Sequence, residues 1–445
     1  MAAKRSPEMK IIPLLRRFGF AIRYGLRMSR GRRAVEAHLS SPARAPLPMP
    51  TFVQLRVTNL CNLRCKMCGQ WGDTGIYREK ASGTSDGEPE RARIRESIGL
   101  RRQLSLADYC RLLDELAPHN PVISLFGGEP FLYPDILPLM REVKRRGLVL
   151  TVITNGWHLE RHARELVEIG IDTIAVSVDG PPEVHDGIRG RESSFDRIAA
   201  GVRAIARWRS DLGRPLPVQM ALLPVTELNI EVIGTAVKAL GQLPLDVINV
   251  GLRWFVPQEV GARYEAVMQD EFAVSGESWR GFSFSWPGGA GAARSRQMRD
   301  LVSVLKRLRR RRLLDIASGR PWISFVPEVA PDDVPAYFTD FDKTFGHDLC
   351  PVAWSFAQVE PDGEVCFCGD FPDYFIGNVR KQPFRDIWTG PRAEAFRQRL
   401  AREPLPVCAR CCGNYLYGKW QRPAVEQRAA SRLEARPQLS PDTQR

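Results

Sequence analysis

No stretch of this chain is both apolar enough and long enough to span a bilayer. Near the start, Ile11, Leu14, Leu15, Phe18 and Ile22 fall on one helical face at steps of three and four, but Arg16, Arg17 and Arg23 break up any apolar run. That excludes a secretory leader and a spanning helix, and the expected location is cytoplasmic. What remains in residues 1–48 is a basic amphipathic segment, which either packs on its own domain or makes a peripheral contact with an anionic membrane surface. Internal repeats are absent. Acid is scarce relative to base, 51 Asp and Glu against 64 Lys and Arg, for a net charge of +13. A nucleic-acid binder would gather that excess in a compact domain with a reader motif. Here much of it lies in the first 33 residues, in 78–102 and in 307–312, so a solvated charged face is expected and no nucleic-acid partner.

At 445 residues, 44% hydrophobic and 26% charged, the chain has the composition of a globular protein of two or three domains. Ten cysteines without a secretory leader point to metal or redox use rather than disulfides. Three of them, Cys61, Cys65 and Cys68, stand as C-x3-C-x2-C directly after the strand-like run Phe52 to Val57. Thiolates suit iron-sulfur clusters, and a short loop can wrap three ligands around one cluster face. Structural zinc is the competing reading, but it usually takes four protein ligands. Three thiolates on a four-iron cubane leave one iron to a ligand that is not protein.

From Thr51 to about Phe255, short apolar runs alternate with helical patterns, the signature of βαβ units and a parallel sheet. Six strands are predicted: Phe52 to Val57, Val122 to Phe126, Leu148 to Ile153, Thr173 to Val178, Pro217 to Leu222 and Val247 to Leu252. Ser105 caps a helix carrying Leu106, Tyr109, Leu112, Leu113 and Leu116. Two more core stripes run through Phe195, Ile198, Val202 and Ile205, and through Ile230, Ile233, Val237 and Leu240. Cys110, on the first of these helices, is expected as a buried small hydrophobe. Polar, glycine-bearing turns follow the strands: the cysteine loop, then Gly127-Gly128-Glu129-Pro130, then Thr154-Asn155-Gly156, then Ser177-Val178-Asp179-Gly180. In parallel α/β barrels such strand ends gather on one face and build the active site. The predicted fold is therefore α/β, a partial (β/α)6 TIM-like barrel over residues 49–255.

Residues 73–103 lack periodicity and read as a mobile insertion, a surface loop or a lid beside the cysteine loop. Residues 256–345 connect the barrel to the rest through a basic helix at Arg294 to Arg312, a strand at Trp322 to Val326 and a short helix from Pro331 to Thr339. A second cysteine group follows in residues 346–415: Cys350, Cys366, Cys368, Cys408, Cys411 and Cys412, with a tight hairpin at Asp362-Gly363. By spacing alone four of these thiols hold zinc or an iron-sulfur cluster. Residues 416–445 read as a disordered tail.

The three-cysteine loop followed one helix later by Gly-Gly-Glu-Pro resembles the radical S-adenosylmethionine superfamily. The later cysteines, with Gly377-Asn378-Val379 and Ile387-Trp388, resemble its SPASM or twitch extension. The resemblance implies a [4Fe-4S] cluster on Cys61, Cys65 and Cys68 whose open iron binds S-adenosylmethionine. It assigns Gly127, Gly128, Glu129 and Pro130 to that cofactor's methionine amino group, and Thr154, Asn155, Ser177 and Asp179 to its ribose and methionyl region. It also implies an auxiliary [4Fe-4S] cluster on Cys350, Cys368, Cys408 and Cys411. The hairpin ligand sits five residues after the turn glycine in the family, which selects Cys368, while Cys366 shares its strand face; Cys412 is the other spare. Leu125 and Phe126 precede Gly127 where the family often has serine.

The implied activity is hydrogen abstraction by a 5'-deoxyadenosyl radical, with a flavodoxin or ferredoxin as electron donor. Net oxidation of a small molecule or sugar is the leading expectation. Maturation of a peptide is the alternative, with the basic N-terminal segment holding an acidic leader; a non-catalytic electron carrier ranks third. No cobalamin-binding segment is evident. Arg253, Trp254 and Asp370 are positional candidates near the site.

Overall fold

The computed structural model describes residues 8–72, 75, 103–253, 255–283, 292–411, 413 and 420, with the side chains of a few helical residues left aside. The insertion expected at 73–103, Trp254, Cys412 and the expected tail therefore lie wholly or almost wholly outside the described residues.

Among the described residues one ten-stranded sheet organises the chain, with Phe52–Thr58 inside it, Trp322–Val326 at one edge and Gly377–Asn378 at the other. The six predicted strands are β1 (Phe52–Thr58), β2 (Val122–Gly127), β3 (Val149–Thr154), β4 (Thr173–Ser177), β5 (Val218–Val225) and β6 (Val247–Leu252). They lie side by side in sequence order, each parallel to the next. Parallel strands are covered by helices on their faces and read as near-continuous apolar runs. Val53, Leu55, Val57, Ile123, Leu125, Leu150 and Val152 are accordingly buried to 1% exposure or less. Leu112, Leu113, Leu116, Leu139, Met140, Val143, Leu166 and Val167 supply the matching helical stripes.

Two strands extend the expected six. β7 (Trp322–Val326) pairs in parallel with β6, and β8 (Phe356–Val359) pairs in parallel with β1, from Phe52 opposite Phe356 to Leu55 opposite Val359. β9 (Glu364–Cys366) then folds back antiparallel through Asp362-Gly363, where Gly363 adopts φ 94°, and β10 (Gly377–Asn378) follows. The cysteine-rich extension is thus a continuation of the barrel sheet. Arg56 on β1 donates to Glu360 just past β8 at 3.2 Å, and both side chains are buried.

The expected stripes pack as read, except that Cys110 is half-buried, its thiol 3.7 Å from Glu142 Oε2. Its position on the helix Leu106–Leu116 falls off the face formed by Tyr109, Leu112, Leu113 and Leu116. The connecting region forms the helices Gln258–Phe272 and Ala292–Ala317, the latter burying Leu301, Leu305 and Leu308. The helix Glu8–Ser40 precedes β1; Ile22 and Leu26 are exposed on it while Val35 is buried. The side chains of Ile11, Leu14, Leu15 and Phe18 lie outside the described ones. Among the described residues no helix is long and apolar enough to cross a membrane.

Candidate active site

The C-terminal ends of β1 to β4 meet, as parallel connections require. The loop after β1 carries Cys61, Cys65 and Cys68, with Cys65 buried and the other two half-buried. Backbone bonds wind it tightly: Cys68 N–H donates to the Cys65 carbonyl at 3.0 Å and Gly72 N–H to the Cys68 carbonyl at 2.8 Å. The thiols in turn accept N–H bonds, Cys61 from Leu63 at 3.5 Å and Cys68 from Trp71 at 3.4 Å. Burial pushes the Cys61 thiol up to about 12, and its neighbours Cys65, Glu129 and Cys68 push the same way. Burial also raises Cys65, against the pull of Arg189. Cys61 and Cys65, whose surroundings disfavour the thiolate, are donors that cationic iron would relieve, and Cys68 stands beside them in the same loop.

The Gly-Gly-Glu-Pro turn is fastened to this loop. Gly128 N–H donates to the Thr58 carbonyl at 2.8 Å and Glu129 N–H to the Leu60 carbonyl at 2.7 Å. Only glycine fits here: a Cβ on Gly128 would stand 2.2 Å from the Leu60 oxygen, and one on Gly127, at φ 145°, 2.2 Å from the Thr58 oxygen. Glu129 is fully buried and reaches across to the next turn, accepting from Thr154 Oγ1 at 2.8 Å, from Asn155 N–H at 2.8 Å and from Phe131 N–H at 3.2 Å. Burial outweighs these donors and raises its carboxyl to about 7. Pro130 is buried at the start of the short 3-10 turn Pro130–Leu132. Asn155 Nδ2 donates to Asn62 Oδ1 at 2.7 Å, closing the circle back onto the cysteine loop.

Ser177 ends β4 half-buried. Asp179, two residues on, is fully buried and paired through both oxygens with Arg189. Its carboxylate therefore faces a guanidinium of the chain. Nothing in the sequence pattern distinguishes Asn62 or Arg189; Arg189 at a helix end reads as an ordinary dipole cap.

In the second group, Cys350 and Cys408 are buried and Cys368 and Cys411 are half-buried. A hydrogen bond to Cys408 and burial hold Cys350 well above the usual thiol range, with Cys411 and Cys368 adding to it. Burial does the same for Cys368, beside Cys408 and Cys411. Cys366 is different: its neighbours are Glu360, Arg56 and Asp373, and its thiol lies 3.7 Å from the Cys368 carbonyl. Cys350, Cys368, Cys408 and Cys411 act on one another, whereas Cys366 acts on Cys368 alone among them. Asp370 Oδ2 is 4.0 Å from Cys411 Sγ. Arg253, just after β6, donates to the Met67 carbonyl and lies in the field of Cys68, Glu227, Asp179 and Asp370. Among the described residues no three His, Cys, Asp or Glu side chains close tightly enough on one point to hold a single ion. A cubane spreads its thiolates, one per iron.

Comparison with known proteins agrees with this arrangement. The radical SAM superfamily matches residues 55–211, and the iron-sulfur cluster-binding domain family SPASM matches residues 350–412. The pre-heme d1 synthase of Dinoroseobacter shibae is 25% identical over 381 residues, covering 82% of this chain and 78% of that protein. The antilisterial bacteriocin subtilosin biosynthesis protein AlbA of Bacillus subtilis is 21% identical over 406 residues, covering 87% and 72%. The crystal structure of Streptococcus suis SuiB superposes with a TM-score of 0.51 at 14% identity, covering 84% of this chain and 73% of SuiB, which shows a shared fold.

Proposed function

Because this chain carries a radical S-adenosylmethionine domain followed by a SPASM domain, with S-adenosylmethionine and [4Fe-4S] clusters as its cofactors, we propose that it oxidises a small molecule or sugar by hydrogen abstraction. Held at Cys61, Cys65 and Cys68, a [4Fe-4S] cluster with S-adenosylmethionine would supply one-electron reductive cleavage and hydrogen-abstraction chemistry. The chain's own work is placement and exclusion of water. Residues 49–255 form the cofactor-binding unit, 256–345 connect it, and 346–415 form the auxiliary unit.

Cys61, Cys65 and Cys68 hold the first cluster and leave one iron open. The turns Gly127 to Pro130 and Thr154-Asn155, with Ser177 and Asp179, shape the space for S-adenosylmethionine; Glu129 acts by fixing the second turn against the first. Cys350, Cys368, Cys408 and Cys411 would hold the auxiliary cluster, which would supply an electron acceptor for the oxidation. The observation that carries this reading is the second thiol group: four cysteines that act on one another make one complete protein ligand set, while Cys366 sits with Glu360 and Arg56 and touches the set through Cys368 alone. Similarity to a pre-heme d1 synthase supports a small-molecule substrate. A peptide substrate is the second reading, supported by the similarity to AlbA over most of both chains. A flavodoxin or ferredoxin delivers the electrons, and the location is cytoplasmic.

The test is anaerobic reconstitution followed by assay of 5'-deoxyadenosine. Wild-type protein forms it, and the Cys61→Ala, Cys65→Ala, Cys68→Ala triple variant does not; persistent formation by the variant overturns the site assignment. Deuterium appearing in 5'-deoxyadenosine from a labelled peptide, and from no labelled small molecule, would replace the first reading by the second.

A further inference from the structure

Arg189 ends the helix Pro182–Arg189 against the first cysteine loop. Its Nη1 donates to Cys65 Sγ at 3.6 Å, its Nη2 to Asp179 Oδ1 at 3.0 Å, and its Nε to Asp179 Oδ2. Arg189 is 8% exposed and Asp179 not at all. Carboxylate, guanidinium and sulfur thus form one buried chain, and the two-pronged pairing with Asp179 fixes the plane of the guanidinium.

Both ends of that chain are anchored. The Asp179 carbonyl accepts from Asn229 Nδ2 at 2.7 Å, and its N–H donates to His185 Nδ1 at 3.1 Å. Burial pushes His185 down to about 2, so it adds no second cation. On the loop side, Lys66 N–H donates to the Ile188 carbonyl at 2.9 Å, which holds the residue after Cys65 against the helix. The arrangement uses a buried ion pair to bring one N–H to one sulfur.

We propose that Arg189 is a positioning residue that sets the reduction potential of the cluster held at Cys65, with Asp179 as the counter-charge that limits its effect. This rests on the reading of Cys65 as a cluster ligand. One-electron reduction adds negative charge to the cage and its thiolates, and an N–H donor in a buried setting stabilises that form more than the oxidised one. The donor touches the sulfur while the carboxylate stands behind it, so the pair acts on the cluster as a net positive end. Removing the donor lowers the potential. Removing the counter-charge while keeping the donor raises it. A merely structural role would not give opposite signs.

The experiment is a redox titration of the full-length, anaerobically reconstituted protein, followed by electron paramagnetic resonance. The first cluster's signal is the one that changes on adding S-adenosylmethionine. Arg189→Met is expected to make reduction about tenfold less favourable, a shift of about 59 mV to lower potential for one electron. Asp179→Asn is expected to shift the midpoint to higher potential, and Arg189→Lys to lie between Arg189→Met and wild type. Unchanged midpoints at full iron loading, or shifts of one sign in Arg189→Met and Asp179→Asn, overturn the proposal. Where Arg189→Met loads no iron, Arg189→Lys and Asp179→Asn decide by the same signs. A wild-type protein with no signal responsive to S-adenosylmethionine sinks the ligand reading itself; a responsive signal that does not shift sinks only the role of Arg189.

Discussion

Glu129 Oε2 accepts the backbone N–H of Asn155 at 2.8 Å, so the turn after β2 holds the turn after β3 by a side chain buried from solvent. The carboxyl's folded value of about 7 stands above its ordinary value of 4.5. Between those values the folded chain keeps a proton that the unfolded chain loses, so this group's contribution to stability falls as pH rises from about 4.5 to about 7. The difference corresponds to roughly 3 kcal/mol. Chemical denaturation of the cluster-free protein across pH 4.5–8 is expected to show this slope, and Glu129→Gln to lose it. Equal slopes in the two proteins would refute the assignment.

Gly128 admits no side chain, because its Cβ would meet the Leu60 carbonyl at 2.2 Å. Gly128→Ala must push the cysteine loop away from the Gly-Gly-Glu-Pro turn. A displacement near 1 Å at such a site costs about 10²-fold in rate. Single-turnover formation of 5'-deoxyadenosine should fall by that order while the second cluster's iron is retained. A variant within twofold of wild type would contradict the packing.

Cys366 and Cys368 share a hairpin, but Cys366 lies with Glu360 and Arg56 while Cys368 lies with Cys408 and Cys411. Iron analysis is expected to give about eight irons per chain for wild type from two cubanes. Cys366→Ala should keep that content, and Cys368→Ala should fall to about four. The reverse pattern would exchange the two roles.

The Arg56–Glu360 pair is buried on both sides, with side-chain exposures of 3% and 9%. Removing one partner leaves a buried charge uncompensated, which costs roughly 3–5 kcal/mol. Glu360→Ala should lower the denaturation midpoint of the cluster-free protein accordingly, and Arg56→Met with Glu360→Leu should recover most of the loss. Recovery failing to exceed the single variant would show that packing, and not charge, is at stake.

Much of the site was legible because its parts are local. The strand runs from Phe52 to Leu252 and the turns after them announce themselves by alternation, glycine and cysteine spacing. The parts that escaped depend on distant partners. Trp322–Val326 was read as a strand, but nothing in its sequence says that it extends the sheet at β6, nor that Phe356–Val359 does so at β1. Nor does spacing reveal that the Asp179 carboxylate pairs with Arg189 from the following helix. Cys110 was placed on a core stripe, but one step of the helical wheel puts it at the edge beside Glu142.

The pairing of β1 with β8 also sets a schedule. Arg56 and Glu360 are 304 residues apart, and at ~5–20 residues per second a ribosome needs roughly 15–60 s to pass from one to the other. During that interval the nascent chain presents the cysteine loop on a strand with one edge unpaired. Iron loading of the first loop in the cell therefore either waits for the C-terminal strands or proceeds on a chain whose β1 edge is still open to pairing with another strand.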